Sequence, residues 1–301
     1  MKPLITAFLH ELNLKEPQQL LQTADELKLD VLSLASVLGI EWENTSKQNL
    51  KDMQQMLKDR KMKVGILDLK LPRYRVDHDG KHKEALQYFK NMIKIADMFK
   101  SNAFFMTLPV FDDVMDQYPL IEQRIHDYLE LAMQNHKKLI IVAEPGLKIN
   151  VYAYIFKKID SPYLQFHFDP VKIMNQGDST ITAYRHMKAY IGSFAILDAN
   201  HDGSFELVGY GDANLTELLK KLSRDDYQGF FVMDHPYFAK LASYQPPKQG
   251  FLQKIFANEQ KKHDQRMQTL AMKIFPNEQT RNVTYMDVLK NQIALIRLVF
   301  K

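Results

Sequence analysis

Eight short apolar runs recur along this chain, each followed by a longer amphipathic stretch, and that rhythm constrains the fold more than any single motif. The runs occupy residues 4–9, 31–35, 64–67, 103–108, 139–143, 164–168, 194–197 and 229–233. Their starts lie roughly 25 to 40 residues apart, the span of one strand plus one helix. Most are near-continuous in Val, Ile, Leu and Phe, as strands covered on both faces of a parallel sheet must be. An open doubly wound sheet shows the same alternation, but it usually carries a Gly-rich turn after its first strand to cradle phosphates. Here His10, Glu11 and Leu12 follow the first run, and no glycine occurs before Gly39. Eight units also suit closure, so the chain is expected to be α/β and to form a (β/α)8 barrel.

The intervening stretches read as helices. Residues 82–100 place Ala85, Phe89, Met92, Ile93, Ala96 and Phe99 at three- and four-residue spacing, and 119–136 do the same with Ile121, Ile125, Tyr128, Leu129, Ala132 and Met133. Asp178 and Ser179 suit the N-cap region of a helix over 181–190. Asn214 suits the N-cap of 215–222, with Glu217 at the capping-box position. After the eighth run about fifty residues, 236–285, precede a final helix over 286–300, far more than an ordinary connection. Within them Leu252, Ile255, Phe256, Met267, Leu270, Ala271 and Ile274 predict one long helix with an apolar stripe. We read 1–301 as one domain and 236–285 as an insertion: a lid, or an arm onto a neighbouring subunit of a homo-oligomer. Burial of its stripe on the same barrel is the conservative choice, and Lys261, Lys262 and Arg266 read as a solvated face.

Composition narrows the partners. Hydrophobic residues make up 46% and charged residues 25% of the 301, an ordinary globular balance. The net charge of +4 is small for this length and lacks the concentrated basic patch that nucleic acid normally demands. There is no cysteine, which excludes disulfides, zinc-thiolate sites and thiol nucleophiles and fits a reducing cytoplasm. No apolar run approaches the ~20 residues of a membrane span, and residues 1–14 do not read as a secretory signal. The expectation is a cytoplasmic protein with no membrane partner.

Four segments in the second half carry a family resemblance. The fifth run, LIIVAEPG, ends in Glu144. The sixth, LQFHFDPVKI, ends in Asp169 and Pro170. The seventh, IGSFAILDANHDGSFELVGYGD, contains Asp198 and the run Gly209, Gly211 and Asp212. The eighth, YQGFFVMDHPY, ends in Asp234 and His235. In order and spacing these resemble the xylose isomerase-like TIM barrels, a family that includes sugar phosphate isomerases and epimerases and the family 2 apurinic endonucleases. The resemblance implies a divalent cation among carboxylates and a histidine at the C-terminal mouth of the barrel, with two acidic residues on opposite sides as proton acceptor and donor. Carried over residue by residue, it makes Glu144 and Asp234 the catalytic pair and Glu144, Asp169 and Asp234 metal ligands. Oxygen-rich ligands suit Mg2+ or Mn2+, and an added histidine widens the choice to Zn2+ or Co2+.

The departures are as informative. The family histidine three residues before the seventh-strand aspartate is Ala195 here, with no donor atom; the lysine before that aspartate is Leu197; the eighth-strand glutamate is the shorter Asp234. His167 lies two residues before Asp169, hence on the same strand face, where it either donates a nitrogen from one layer deeper or is a core histidine hydrogen-bonded inside the barrel. Asp198, Lys172, His235 and Arg73 are the candidate substrate-binding residues; Asp198 could equally anchor its own loop, and Glu144 could pair with Lys148 or Lys172. The stretch Arg73, Arg75, His78 and Lys81 after the third run is either a phosphate-binding loop or a solvated one. Two readings follow: a sugar or sugar-phosphate isomerase or epimerase using a divalent metal, or a catalytically degenerate barrel that binds a carbohydrate or partner without metal catalysis. A repair endonuclease would need several metal ions and many histidines at strand ends, and few fall there.

Overall fold

The computed structural model describes residues 2–9, 12, 14, 16–37, 39–234, 253–278 and 282–300, with the side chains of 253–260 left aside. The eight expected strands are present: β1 (Leu4–Thr6), β2 (Leu32–Leu34), β3 (Val64–Asp68), β4 (Ala103–Met106), β5 (Lys138–Val142), β6 (Leu164–Phe168), β7 (Ile191–Ala195) and β10 (Phe230–Val232). They form one sheet in the order β1-β10-β7-β6-β5-β4-β3-β2. Its ladders are parallel throughout. At the β1–β2 seam Val31 and Ser33 donate their N–H groups to the Ile5 and Ala7 carbonyls at 3.3 and 3.1 Å, which closes the ring. Thr6 Oγ1 and Ser33 Oγ meet across the same seam at 2.7 Å. A small antiparallel pair, β8 (Asp198–Ala199) and β9 (Phe205–Glu206), sits in the loop after β7.

Alternation along each strand divides the core into two layers. Inward residues Ile66, Ala103, Phe105, Ile140 and Val232 fill the barrel with Phe8, Val142 and Phe230. Outward residues such as Leu67, Phe104, Met106, Ile141, Phe166, Phe194 and Phe231 pack beneath the helices. Those helices are α1 (Pro17–Glu26), α2 (Lys47–Asp59), α3 (Asp79–Phe99), α4 (Val114–Gln134), α5 (Ile149–Ile159), α6 (Pro170–Asn175), α7 (Thr180–Met187) and α8 (Leu215–Arg224). Beyond them come α9 (Gln253–Ile274) and α10 (Tyr285–Val299). Among the described residues, no helix is long and apolar enough to cross a membrane.

Local expectations met three corrections. The seventh strand begins three residues before the apolar run that announced it, because Gly192 and Ser193 take strand geometry in the parallel ladder. Ser179 caps α7 by accepting from Thr182 N–H, whereas Asp178 reaches across to the Ile149 N–H at the start of α5 at 3.0 Å. Asn214 stands at the start of α8 in a left-handed conformation and makes no side-chain cap; its amide nitrogen lies 3.2 Å from Thr180 Oγ1 instead.

Of the long segment after β10, residues 236–252 lie outside the described ones. Leu252 and the side chains of Ile255 and Phe256 lie outside the described residues as well; the C-terminal end of the stripe is seated on the same molecule. Leu270, Ala271 and Ile274 are buried with Leu207, Val283 and Val288. Lys273 ion-pairs with Glu206 at 3.2 Å and lies 4.3 Å over the Tyr210 ring. Helix α9 therefore rests on the β7–α8 loop, while Lys261, Lys262 and Arg266 face solvent.

Candidate active site at the barrel mouth

Glu144 lies two residues beyond the end of β5, continuing the inward set Ile140 and Val142. Its backbone is held at both ends. The N–H donates to Tyr152 Oη of α5 at 2.7 Å, and the carbonyl accepts from Gln176 Nε2 at 3.0 Å. Its side chain is 14% exposed and ion-paired with Arg73 at 3.2 Å. Arg73 comes from the β3–α3 loop and leaves 63% of its own side chain exposed. That loop places only Arg73 of its basic residues on Glu144: Arg75 is held by Asp112 and Asp77, and Lys81 by Glu84. Lys172 Nζ approaches the Ala143 carbonyl at 3.5 Å, at the same rim.

Asp169 caps α6. Its Oδ1 accepts from the Lys172 N–H at 3.0 Å, and burial pushes its carboxyl up against that stabilisation. His167, one layer deeper, is buried beside Phe105, with ring centres 4.7 Å apart. Its Nδ1 meets Ser193 Oγ at 2.8 Å. Burial first, and the nearby Lys172 ammonium second, hold this imidazole down at about 3, so it is neutral at any physiological pH. Asp198 is fully buried and gathers its loop: its carboxylate accepts from the N–H groups of Ala199, Gly209, Gly211 and Ala213. A Cβ at Gly211 would stand 2.4 Å from that carboxylate and 2.7 Å from the Ala199 backbone, so only glycine permits the approach.

Asp234 is engaged by main chain. Its two oxygens accept from the Phe8 and Leu9 N–H groups at 2.6 Å each, fastening the end of β10 to the end of β1. Leu9 is left-handed, which turns its N–H to the carboxylate. His235 lies outside the described residues.

Among the described residues, the donor set does not fit the implied metal. A divalent cation needs several oxygen or nitrogen donors converging at roughly 2.0 to 2.6 Å. Asp234 is committed to two backbone donors, Asp169 to its helix, His167 Nδ1 to a serine, and Ala195 offers nothing. Among the described residues, no three His, Asp or Glu side chains approach as a group that could hold an ion.

Sequence reasoning passed over Asp68, at the end of β3 on the inward parity of Ile66. Its Oδ1 accepts from the Lys70 N–H at 3.1 Å, and its carbonyl from the Trp42 indole at 2.8 Å. The signal was available, a carboxylate two residues beyond an inward Ile. Tyr152 and Gln176, which fix the Glu144 backbone, left no pattern in the sequence. Two cavities of about 610 Å3 lie elsewhere, one between Lys28 and Arg297 and one beside Asp127 and Asp160. Neither is bordered by a mouth residue.

A family model described as xylose isomerase-like TIM barrel matches residues 11–255. No curated protein matches the sequence. Among solved structures, D-psicose 3-epimerase of Clostridium cellulolyticum H10, determined with D-tagatose, superposes with a TM-score of 0.68 at 13% identity over 100% of both chains. The probable 3-DHS dehydratase AsbF of Bacillus anthracis gives 0.65 at 14% identity, over 78% of this chain and 92% of its own. The apo 3-keto-D-glucoside 4-epimerase YcjR of E. coli gives 0.60 at 10% identity, over 88% and 100%. At these identities the likeness is one of fold.

Proposed function

The chain belongs to the xylose isomerase-like TIM barrel family, and on that footing we propose that its mouth takes a small carbohydrate and that Glu144 exchanges a proton with it, in a sugar isomerase- or epimerase-like reaction. The observation that carries this is the placement of Glu144: an inward carboxylate at a strand's C-terminal end, where barrel enzymes keep their chemistry, with its backbone tied on both sides and its side chain shielded but reachable. A base held so rigidly needs little reorganisation to accept a proton from a carbon beside a carbonyl. Arg73 and Lys172 border it with positive charge, so sugar phosphates and sugar acids belong among the candidate ligands beside neutral ketoses.

A second reading, carbohydrate binding without turnover, draws on Ala195 and on the commitment of Asp234 to β1. A two-base exchange would need Asp234 to give up both of its backbone donors; a one-base exchange by Glu144 does not. Saturation-transfer NMR against ketoses, aldoses and their phosphates, with D-tagatose as one probe, tests the shared premise. We expect one class to bind, and Glu144→Gln to weaken it about tenfold, the cost of one charge-assisted hydrogen bond. No binding across the panel defeats both readings.

A further inference from the structure

The geometry points to a mouth that works without a divalent cation, the positive charge beside Glu144 being the guanidinium of Arg73. This rests on the reading of the mouth as a carbohydrate site. Three of the side chains a cation would need are turned onto the protein itself. Asp234 clasps the Phe8 and Leu9 N–H groups, Asp169 caps α6, and His167 faces Ser193. Releasing Asp234 to a metal would strip two backbone donors of a charged acceptor, and Leu9 is buried. What does meet Glu144 is Arg73, at 3.2 Å.

Arg73 is not a loose surface arginine, because the chain on both sides of it is pinned. Before it, the Leu69 N–H donates to the Phe105 carbonyl at 3.0 Å, and the Leu69 carbonyl accepts from Tyr88 Oη at 2.9 Å. After it, Tyr74 is a buried peg whose hydroxyl meets His82 Nδ1 at 2.8 Å, while His82 Nε2 meets Asp127 at 2.7 Å. The Tyr74 carbonyl accepts from the Val110 N–H at 2.8 Å, and the Val76 carbonyl from buried Arg124 Nε at 3.0 Å. A guanidinium stays charged at every working pH and carries five N–H donors in one plane. With Arg73 more than half exposed, donors beyond the one on Glu144 are accessible to a ligand. A sugar carbonyl oxygen bonded to them gains stabilisation as it becomes an enolate oxygen. The step balances without a co-reactant. The C–H bond beside the carbonyl breaks, its electron pair moves into the enolate, and the proton passes to Glu144, where it exchanges with water; Glu144 then delivers a proton to the former carbonyl carbon while the neighbouring hydroxyl proton moves to the former carbonyl oxygen.

Two arms of the test need no ligand. Chelator-treated full-length protein is titrated calorimetrically with Mn2+, Mg2+, Zn2+ and Co2+ in turn. We expect no saturable uptake; one equivalent bound, and lost in Glu144→Gln, overturns the inference. Thermal melts of Arg73→Gln, Glu144→Gln and the double variant form a cycle. We expect the double variant to lose less than the sum of the singles, and strict additivity would overturn the pairing. A third arm follows D-tagatose binding in chelator. Arg73→Gln should weaken it at least tenfold and Arg73→Lys should restore part of the loss; binding that appears only on adding a metal ion overturns the inference. Failure of the untreated wild type to bind any sugar would count against the carbohydrate reading alone, with the first two arms still deciding the cation.

Discussion

At the scale of single residues, polar groups inside the fold carry the sharpest consequences. Gln292 of α10 is buried, and neither its amide oxygen nor its nitrogen has a hydrogen-bond partner. An unpaired buried amide costs about 1–3 kcal/mol, and methionine has nearly the same shape without that cost. Gln292→Met should therefore raise stability by about 1–2 kcal/mol, read as a higher urea midpoint at unchanged slope. His167 governs pH dependence. Its folded value of about 3 lies below the 6.5 of a free imidazole, so the unfolded chain binds its proton more readily. Stability from this group is full above about pH 6.5 and declines as pH falls toward 3, a span worth on the order of 4 kcal/mol. His82, also depressed by burial, acts in the same direction. Asp169 and Asp198, raised by burial, act oppositely, losing stability as pH climbs above the ordinary carboxylate value. We expect melting temperatures to fall between pH 6.5 and 5 in the wild type and to fall less steeply in His167→Gln. An equal slope in both would remove His167 from the account.

At the scale of elements, what the sequence reveals depends on how local the cause is. The strand rhythm was legible because burial on both faces demands continuous apolar residues, and α3 and α4 because their buried faces repeat at helical spacing. The start of β7 was not, because Gly192 and Ser193 are strand residues only by virtue of the neighbours they pair with. Glu144 was legible from its place just past an apolar run. Arg73 was named as a candidate at the mouth, but its pairing with Glu144 was not legible, Lys148 or Lys172 being the expected partners, since the choice is made by tertiary pins at Tyr74 and Val76. The backbone clasp of Asp234 reaches across 226 positions to Phe8 and has no sequence signature at all. The long helix after β10 was legible as a stripe, and its seat on the β7–α8 loop gives that stripe its mechanical meaning. Leu270→Ala should cost about 2–5 kcal/mol, concentrated in the α9 seat. Limited proteolysis would then cut within 253–278 faster than in the wild type while the barrel stays intact. Unchanged cleavage would mean that α9 is held by other contacts.

At the scale of the whole molecule, the barrel supplies a rim and the loops decide its chemistry. Fold alone leaves that choice open, since the superposable structures include two epimerases and a dehydratase. In this chain the rim departs from the family's metal-centred plan in a consistent direction: one position lacks a donor atom, one carboxylate has become a clasp between β10 and β1, and the carboxylate at the end of β5 is met by an arginine. The central claim is that this remaining carboxylate, Glu144, moves a proton on a bound sugar. Deuterium wash-in from 2H2O, followed by mass spectrometry over a panel of ketoses, aldoses and their phosphates, tests it most directly. The account predicts incorporation of one deuterium into at least one sugar by wild-type protein in chelator, and a loss of at least a hundredfold in Glu144→Gln, within the range that general base catalysis contributes. Incorporation that survives unchanged in Glu144→Gln, or sugar binding with no incorporation by the wild type, would contradict it.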